Sequence, residues 1–238
     1  MENAVYTSLT RQSGLMREMQ LVANNIANLS TTGFRKEGVV FSEFVKRLDR
    51  GDPSLSMAAA RVRTTSQLQG VLSQTGSAFD FGIEGEGYFL IETPEGQALT
   101  RAGSFTPSAE GELVTFDGYR LLDGGGAPVF VPPGSRDVAV SPDGTLSADG
   151  QPLSQIGLWQ PANEKDVTRR DGVLFTLTAA PEPVENPKIL QGFLEASNVN
   201  AVAEISRMIQ IQRAYELGQG FLDKEDQRIR NVLSTLGR

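Results

Sequence analysis

The sequence predicts an α+β fold: long helices at the two chain ends pair as a coiled-coil-like stalk, and a mainly antiparallel β domain occupies the middle. All twelve prolines of the 238-residue chain lie between Pro53 and Pro187. Apolar residues recur with helical spacing in the proline-free ends, whereas the middle has short apolar runs separated by glycine-containing turns. Because proline removes a backbone donor and clashes with the preceding helical turn, the ends alone are suited to long helices.

These features divide the chain into four parts. We expect an N-terminal helical assembly segment over 1–45, a connecting segment over 46–75, a central β domain over 76–180, and a C-terminal connection and helical assembly segment over 181–238. The second part is assigned as a connection because it is polar and contains Gly51-Asp52-Pro53.

Composition excludes several kinds of site. The chain has no cysteine and no histidine, which removes disulfides, thiolate metal sites and the usual nucleophile–base pairs. Residues 76–150 carry twelve acidic side chains and three arginines (3 − 12 = −9), whereas nucleic-acid binding requires a basic surface. No apolar run is long enough to span a membrane, and the N-terminus lacks a signal-peptide pattern. We expect no catalytic, cofactor or metal site, no nucleic-acid partner and no membrane insertion.

The first predicted helix covers residues 3–29 and is about 40 Å long at 1.5 Å per residue. Positions spaced alternately by four and three residues form a heptad pattern, here called the N-terminal seam. Six of its seven members are apolar: Val5, Leu9, Gln12, Met16, Met19, Ala23 and Ile26. Leu15, Val22 and Leu29 widen this stripe on one side. The helix is expected to end near Gly33, since glycine suits the left-handed position after a helix.

Three asparagines, Asn24, Asn25 and Asn28, crowd the last turn of this helix. Asparagine is a poor interior helix former because its side chain competes for backbone hydrogen bonds. We expect these residues to form side-chain bonds at a contact or to end the helix. A frayed, solvated helix end is the alternative.

The second predicted helix begins with Ser197 or Asn198 as N-cap and is about 55–60 Å long. Its C-terminal seam has eight apolar members of eleven: Ala201, Ile205, Met208, Gln212, Tyr215, Gln219, Leu222, Asp226, Ile229, Leu233 and Leu236. Polar seam residues can fix register and partner choice. Because this helix is longer than the first, part of its apolar surface requires another subunit. Two amphipathic helices of an ordinary globular core are the alternative.

The middle is predicted to be a series of hairpins. Short β-like runs at Phe79–Ile83, Tyr88–Glu92 and Ala98–Arg101 are separated by glycine-containing turns. The pattern Ser-x-acid-Gly-x-Leu occurs at 108–113 and again at 141–146, and each copy is followed by Asp-Gly, a strong hairpin signal. The acidic turns lack the alternating oxygen ligands of a calcium loop, and the glycines lack a nucleotide-binding context.

Four stretches resemble the bacterial flagellar rod and hook proteins, in the same order along the chain. At the ends they are Ala23–Lys36 (ANNIANLSTTGFRK) and Leu194–Asn200 (LEASNVN) with Met208–Glu216 (MIQIQRAYE). In the middle they are Asp80–Phe89 (DFGIEGEGYF) and Thr100–Phe105 (TRAGSF). The resemblance covers nearly the whole chain.

This resemblance implies a structural subunit of the proximal rod of the flagellar basal body, located where the rod crosses the periplasm. It implies export in unfolded form by the flagellar type III export apparatus and polymerisation with other rod subunits through the terminal helices. The expected assembly interface comprises Val5, Leu9, Met16, Met19, Asn24, Asn25, Ile26, Asn28, Gly33, Phe34, Ser197, Asn198, Val199, Ile205, Met208, Gln212, Arg213, Tyr215, Glu216 and Leu222.

Three alternatives remain open at this point. The first is a distal-rod protein of the same family. The second is a secreted binding module, in which the β domain presents an acidic face to a ligand on a coiled-coil stalk. The third is a carboxylate-dependent hydrolase, for which Asp80, Glu84 and Glu86 lie near one another in sequence, but no pattern indicates that two of them converge across a cleft.

Overall fold

A computed structural model describes residues 2–46, 55–163 and 166–236. Within them, one helix lies at each end of the chain and strands fill the middle, so the predicted α+β class with a mainly antiparallel β region is confirmed. The chain divides into two compact units. Unit 1 comprises Met1–Leu29, Lys36–Ser66 and Val199–Arg238, and unit 2 comprises Ser30–Arg35 and Gln67–Asn198.

Unit 1 contains the two helices and a long hairpin. The helices are α1 (Glu2–Ala27) and α2 (Ala201–Leu236), and the strands are β1 (Glu37–Lys46) and β2 (Leu55–Thr65). The strands pair antiparallel with a register shift between Val40 and Phe41, and both contact α1. This hairpin was not predicted, and Gly51-Asp52-Pro53 of the predicted connecting segment lies outside the described residues.

Both helices differ from prediction at the ends that adjoin the middle of the chain. Helix α1 ends at Ala27, where the Asn28 amide donates to Asn24 O and Asn25 O in a terminal turn. Helix α2 begins at Ala201, and Asn200 caps it by accepting a 3.0 Å bond from the amide of Ala203. The prediction that Ser197 or Asn198 is the N-cap is therefore wrong.

Helices α1 and α2 pack against each other antiparallel. Asn25 of α1 bonds Glu204 of α2, and Arg207 Nε donates to Glu18 Oε1 at 2.7 Å. Nearer the start of α1, Gln12 donates to the carbonyl of Tyr215 at 3.4 Å. The contact positions therefore descend along α1 as they ascend along α2.

The buried face of α1 is not the N-terminal seam. Its buried residues are Gly14, Glu18, Leu21, Val22 and Asn25. Leu9 and Met16 of the seam remain 48% and 43% exposed. A contact through the N-terminal seam within one chain is not confirmed, because the apolar stripe that the helix buries is the one that includes Val22.

On α2 the buried stripe shares every second position with the C-terminal seam. Its buried or half-buried members are Ala201, Glu204, Met208, Ile211, Tyr215, Gly218, Leu222 and Glu225. The remaining seam positions lie one residue later, and Ile205 is 50% exposed. The predicted seam included Ile205 because it is apolar. In the structure the neighbouring acidic residue Glu204 is buried instead, where polar partners bind it.

Unit 2 is built from short, mostly antiparallel strands. They are β3 (Leu72–Gln74), β4 (Phe81–Ile83), β5 (Tyr88–Thr93), β6 (Gly96–Thr100), β7 (Thr106–Pro107), β8 (Leu113–Val114), β9 (Arg120–Leu121), β10 (Val138–Val140), β11 (Thr145–Ala148), β12 (Gln151–Gln155), β13 (Leu158–Gln160), β14 (Val167–Asp171), β15 (Leu174–Leu177), β16 (Glu182–Pro183), β17 (Ile189–Gln191) and β18 (Phe193–Glu195). The main sheet has the order β14-β15-β6-β5-β9-β8-β7. Smaller sheets are β10-β11-β12, β17-β4 and β18-β3.

Strand β5 is buried on both faces. Phe89 and Ile91 point into the larger of two apolar clusters, whereas Tyr88 and Leu90 point into the smaller one. Alternate side chains of a strand face opposite sides, so a continuous apolar run is what a doubly covered strand requires. This explains why the run beginning at Tyr88 was readily predicted as a strand.

The repeated pattern found in the sequence forms two equivalent turns. Gly111 and Gly144 both have positive φ, and their carbonyls accept bonds of 2.8 Å from the amides of Val131 and Ile156 respectively. Leu113 and Leu146 follow at equivalent positions, and both are fully buried in the larger cluster. Each Asp-Gly then turns the chain into the next strand, as predicted.

Candidate assembly site at the two chain ends

The segment Ser30–Arg35, here called the strap, lies beside the residues that precede α2. The Gly33 amide donates to Glu195 O at 2.7 Å, and the Asn198 amide donates to Phe34 O at 3.3 Å. The N-terminal and C-terminal stretches that carry the family resemblance therefore meet within unit 2.

Gly33 is required by the backbone of the strap. Its φ is +70°, and a Cβ at this position would collide with the backbone of Arg101 and Ala102. Any other residue at this position would be strained by the left-handed backbone conformation and would also collide with this backbone. A positive φ was predicted for Gly33, but at the end of the first helix. Helix α1 ends at Ala27, and Gly33 lies in the strap, where the nearby backbone also requires glycine.

Glu195 lies between two buried arginines. Arg35 Nη2 is 3.1 Å from Glu195 Oε1, an ion pair rather than a hydrogen bond, and Arg101 Nη1 is 3.2 Å from Glu195 Oε2. All three side chains are at most 4% exposed. Burying an ion is costly unless it is paired and hydrogen-bonded, so each arginine depends on this carboxylate.

Backbone carbonyls accept further hydrogen bonds from these arginines. Arg35 Nη1 donates to Gln67 O at 2.5 Å and to Leu68 O at 2.7 Å, while Arg101 Nη2 donates to Gly85 O at 2.7 Å. Burial, reinforced by the positive charge of Arg35, lowers the pKa of Arg101 to about 10, although the Glu195 carboxylate opposes the shift. Arg101 therefore carries its charge under physiological conditions.

Phe34 is held by a cation. The guanidinium of Arg169 lies 4.6 Å from the Phe34 ring centroid and 4.7 Å from that of Phe175. Arg169 also donates to Arg35 O at 2.5 Å. Cation–π contacts of this kind are worth about 0.5–2 kcal/mol, and more when they are shielded from water.

In unit 1, a second polar cluster joins the end of α1 to the start of α2. Asn25, 1% exposed, donates to Glu37 O at 2.8 Å and to Glu204 Oε2 at 3.0 Å, and its Oδ1 accepts from the Glu37 amide at 2.9 Å. Lys36 lies 2.5 Å from Glu204, and Asn24 donates to Glu37 Oε2 at 3.0 Å. One asparagine thus connects both helices and the first strand.

The predicted interface residues fall into three environments. Buried are Asn25, Gly33 and Phe34; half-buried are Met19, Ile26, Asn28, Ser197, Asn198, Val199, Met208, Tyr215 and Leu222. Exposed are Leu9, Met16, Asn24, Ile205, Gln212, Arg213 and Glu216, while the side chain of Val5 lies outside the described residues. The buried set joins parts of one chain, and the exposed set is available for contact with another.

Several residues of these clusters were not among the predicted site residues. They are Arg35, Glu37, Arg101, Arg169, Glu195 and Glu204. Arg35, Arg101 and Glu195 lie inside the stretches that resemble the rod and hook proteins, and the presence of charged residues in these stretches is the signal that could have identified them. Nothing in the local sequence pairs Arg169 with Phe34.

The described part of the chain contains no cluster of acidic side chains suited to a metal ion, and none of its helices is apolar enough over sufficient length to cross a membrane. The geometry provides polar junctions and partly exposed apolar helix faces. These are features of a component that binds other proteins.

Three family signatures match the chain in order. The flagella basal body rod protein signature covers residues 6–35, the flagellar hook protein FlgE/F/G D1 domain covers 82–148, and the flagellar basal body rod FlgEFG protein C-terminal signature covers 190–235. The first contains the whole strap, and the third contains Glu195 and Glu204.

Full-length relatives agree with these signatures. The chain is 37% identical over 240 residues to the flagellar basal-body rod protein FlgF of Rhizobium meliloti, covering 100% of this chain and 99% of the relative. It is 38% identical to FlgF of Caulobacter vibrioides over 247 residues (100% and 99%), but 31% identical to the rod protein FlgG of the same organism over 256 residues (95% and 96%). The chain therefore belongs to the family of flagellar basal-body rod proteins, and it is a structural subunit of the flagellar basal body and not an enzyme.

Proposed function

We propose that the chain is a subunit of the proximal rod, exported unfolded by the flagellar type III export apparatus and polymerised with other rod subunits where the rod crosses the periplasm. Greater identity to FlgF than to FlgG of one organism supports this choice over FlgG-type distal-rod identity. The terminal helices make the subunit contacts, in part as coiled-coil-like seams. The proposed interface is the predicted set of exposed and half-buried residues.

The observation that carries this proposal is the apolar surface left exposed on the helices of unit 1. Leu9 and Met16 are exposed on α1, and more apolar residues are exposed on α2: Val202, Ile205, Ile209, Leu217, Phe221, Ile229, Val232 and Leu233. Exposed apolar patches mark protein contacts, and these residues supply apolar surface on both helices. A groove of about 600 Å³ also opens between the two helices, lined in part by Leu15, Leu217 and Phe221.

A lone helix pair with so much apolar surface in water is only marginally stable, since helices gain most of their stability from packing. Subunits that order their ends only on assembly remain suitable for passage through an export channel. Different patches on the two helices would make a head-to-tail contact, which generates an open helical assembly rather than a closed dimer.

Substitutions on the two faces of α2 test this function. Ile205→Asp places a charge on the exposed face and should block incorporation into basal bodies while the β domain stays folded. Met208→Asp, on the half-buried stripe, should do the same. If either variant still builds a normal rod, the assignment of that position to the subunit contact is wrong.

Ile211→Asp is the matched comparison, because Ile211 is 2% exposed within the same helix. It should lower helix content in the isolated chain, whereas Ile205→Asp should not. Immunogold labelling of a tagged β domain in purified basal bodies gives the location: label at the cell-proximal rod supports the proposal, and label along the distal rod contradicts the proximal assignment. Absence of a functional tagged protein from intact basal bodies would favour the secreted binding module.

A further inference from the structure

The strap belongs to a different unit from its neighbours in the chain. The flanking segments Met1–Leu29 and Lys36–Ser66 are part of unit 1, yet Ser30–Arg35 is part of unit 2. Six residues of the N-terminal region are therefore integrated into the β domain. What holds them there determines whether they can leave it.

The strap is not part of the apolar core of unit 2. Phe34 is fully buried, but neither apolar cluster of the described residues includes it. Its ring packs against the Arg169 guanidinium, which also bonds Arg35 O. Arg35 pairs with Glu195 and donates to Gln67 O and Leu68 O, and the strap backbone bonds that of Glu195 and Asn198. The strap therefore contributes no member to either apolar cluster.

The charges of the cluster also permit the β domain to remain folded without the strap. With Arg35 in place, two guanidinium groups share the Glu195 carboxylate; without it, Arg101 and Glu195 form a balanced one-to-one pair. Arg101 keeps its bond to Gly85 O in either case. The carbonyls that Arg35 binds belong to Gln67 and Leu68, both exposed residues, so water can replace the strap there.

We propose that the strap opens and closes on a β domain that remains folded, and that Glu195 is the positioning residue that holds it closed. Glu195 acts twice on the strap: its carboxylate pairs with Arg35, and its carbonyl accepts the bond from the Gly33 amide. Its carboxylate also accepts a 3.0 Å bond from the Gly70 amide, which fixes its orientation.

The strap lies between α1 and β1 in the chain. When it opens, the flexible segment that links these two elements to the β domain becomes longer. A longer tether lowers the effective concentration of a linked element at its binding site. Closure would therefore favour ordering of the N-terminal region at assembly. This role at assembly rests on the proposed function, whereas the ability of the strap to open does not.

Hydrogen exchange on the soluble full-length chain tests the opening without any flagellum. The reporter is the Gly33 amide, and the references are the Leu113 and Val129 amides, which bond Val129 O and Leu121 O inside the β domain. Glu195→Gln and Arg35→Met should each speed exchange at Gly33 by about tenfold or more, because each removes a buried charge-assisted contact. Exchange at the references should change less than about twofold.

Glu92→Gln is the control, since Glu92 is half exposed in a surface ion pair with Arg120 and should leave Gly33 unchanged. Arg35→Met keeps the Arg101–Glu195 pair, so it tests the proposal even if Glu195→Gln unfolds the β domain. Loss of protection at Gly33 and the references to the same extent in Arg35→Met would overturn the proposal, since the strap would then be part of one cooperative unit. Unchanged exchange at Gly33 in both variants would overturn the role of Glu195. Neither result bears on whether the chain joins the rod.

Discussion

Asn25 in the first helix donates a 3.0 Å hydrogen bond to Glu204 in the last helix, 179 residues away in the sequence. Both residues are at most 2% exposed. An amide can donate to a carboxylate and accept from a backbone amide simultaneously, so Asn25 also bonds both backbone groups of Glu37. This single side chain fixes the chain ends of unit 1 to each other and to the hairpin.

Substitution Asn25→Ala should therefore destabilise unit 1. It removes an acceptor from the Glu37 amide and a donor from the buried Glu204 carboxylate, which keeps its ion pair with Lys36. A buried polar group left unsatisfied costs about 1–3 kcal/mol. The loss is measured as reduced helix content and lower thermal stability by far-UV circular dichroism. Gln20→Ala, at an exposed position of α1, should change stability by less than about 0.5 kcal/mol. Equal effects of the two variants would contradict a special role for Asn25.

Substitution Gly33→Ala should weaken strap docking more than an equivalent change elsewhere. Gly33 and Gly76 have nearly the same φ, +70° and +75°, but a Cβ at Gly76 meets nothing within 4 Å. Gly76→Ala therefore reports the conformational cost alone, about 1 kcal/mol, while Gly33→Ala adds a collision with backbone that cannot move freely. Hydrogen exchange at the Asn198 amide, which bonds Phe34 O, measures the difference. Similar exchange in the two variants would show that the collision is relieved at little cost.

Substitution Leu146→Ala should destabilise the β domain by about 2–5 kcal/mol, because it opens a cavity in the larger apolar cluster. The measurement is thermal unfolding followed by the fluorescence of Trp159, the one tryptophan of the chain. Leu153, 38% exposed in the neighbouring strand of the same sheet, is the matched control, and Leu153→Ala should have a much smaller effect. A larger effect of Leu153→Ala would show that Leu153, and not Leu146, packs in the core.

The Arg101 pKa should respond in opposite directions to its two charged neighbours. Arg35→Met removes a positive charge and should raise the pKa of Arg101 above about 10, whereas Glu195→Gln should lower it. Since the folded pKa lies below the unfolded value, the unfolded chain binds more protons between about pH 10 and the ordinary arginine pKa. This group therefore makes the free energy of unfolding rise with pH in that window. An NMR titration of the Arg101 guanidinium carbon measures the pKa. If the pKa shifted in the same direction in both variants, the opposite effects assigned to Arg35 and Glu195 would be wrong.

Particular residues show where prediction from sequence succeeded. The Tyr88 run, the Asp-Gly turns and the repeated glycines specify their structure locally, through side-chain alternation and positive φ. The two seams did not predict which helix faces are buried. They were chosen from apolar residues, whereas the fold also buries Glu18 and Glu204, whose carboxylates are paired with polar side chains. The β1–β2 hairpin was missed since its strands lie in segments assigned as helical or connecting.

The sequence by itself determined the helices at the ends, the β-rich middle and the family, since these depend on local propensity and on stretches of contiguous residues. The tertiary structure alone decided which helix faces are buried and which charges pair. Arg35, Arg101 and Glu195 are far apart in the chain, and their charges become a cluster only when folding removes them from water. Local patterns record what each segment prefers, but long-range packing and desolvation determine which preference is satisfied.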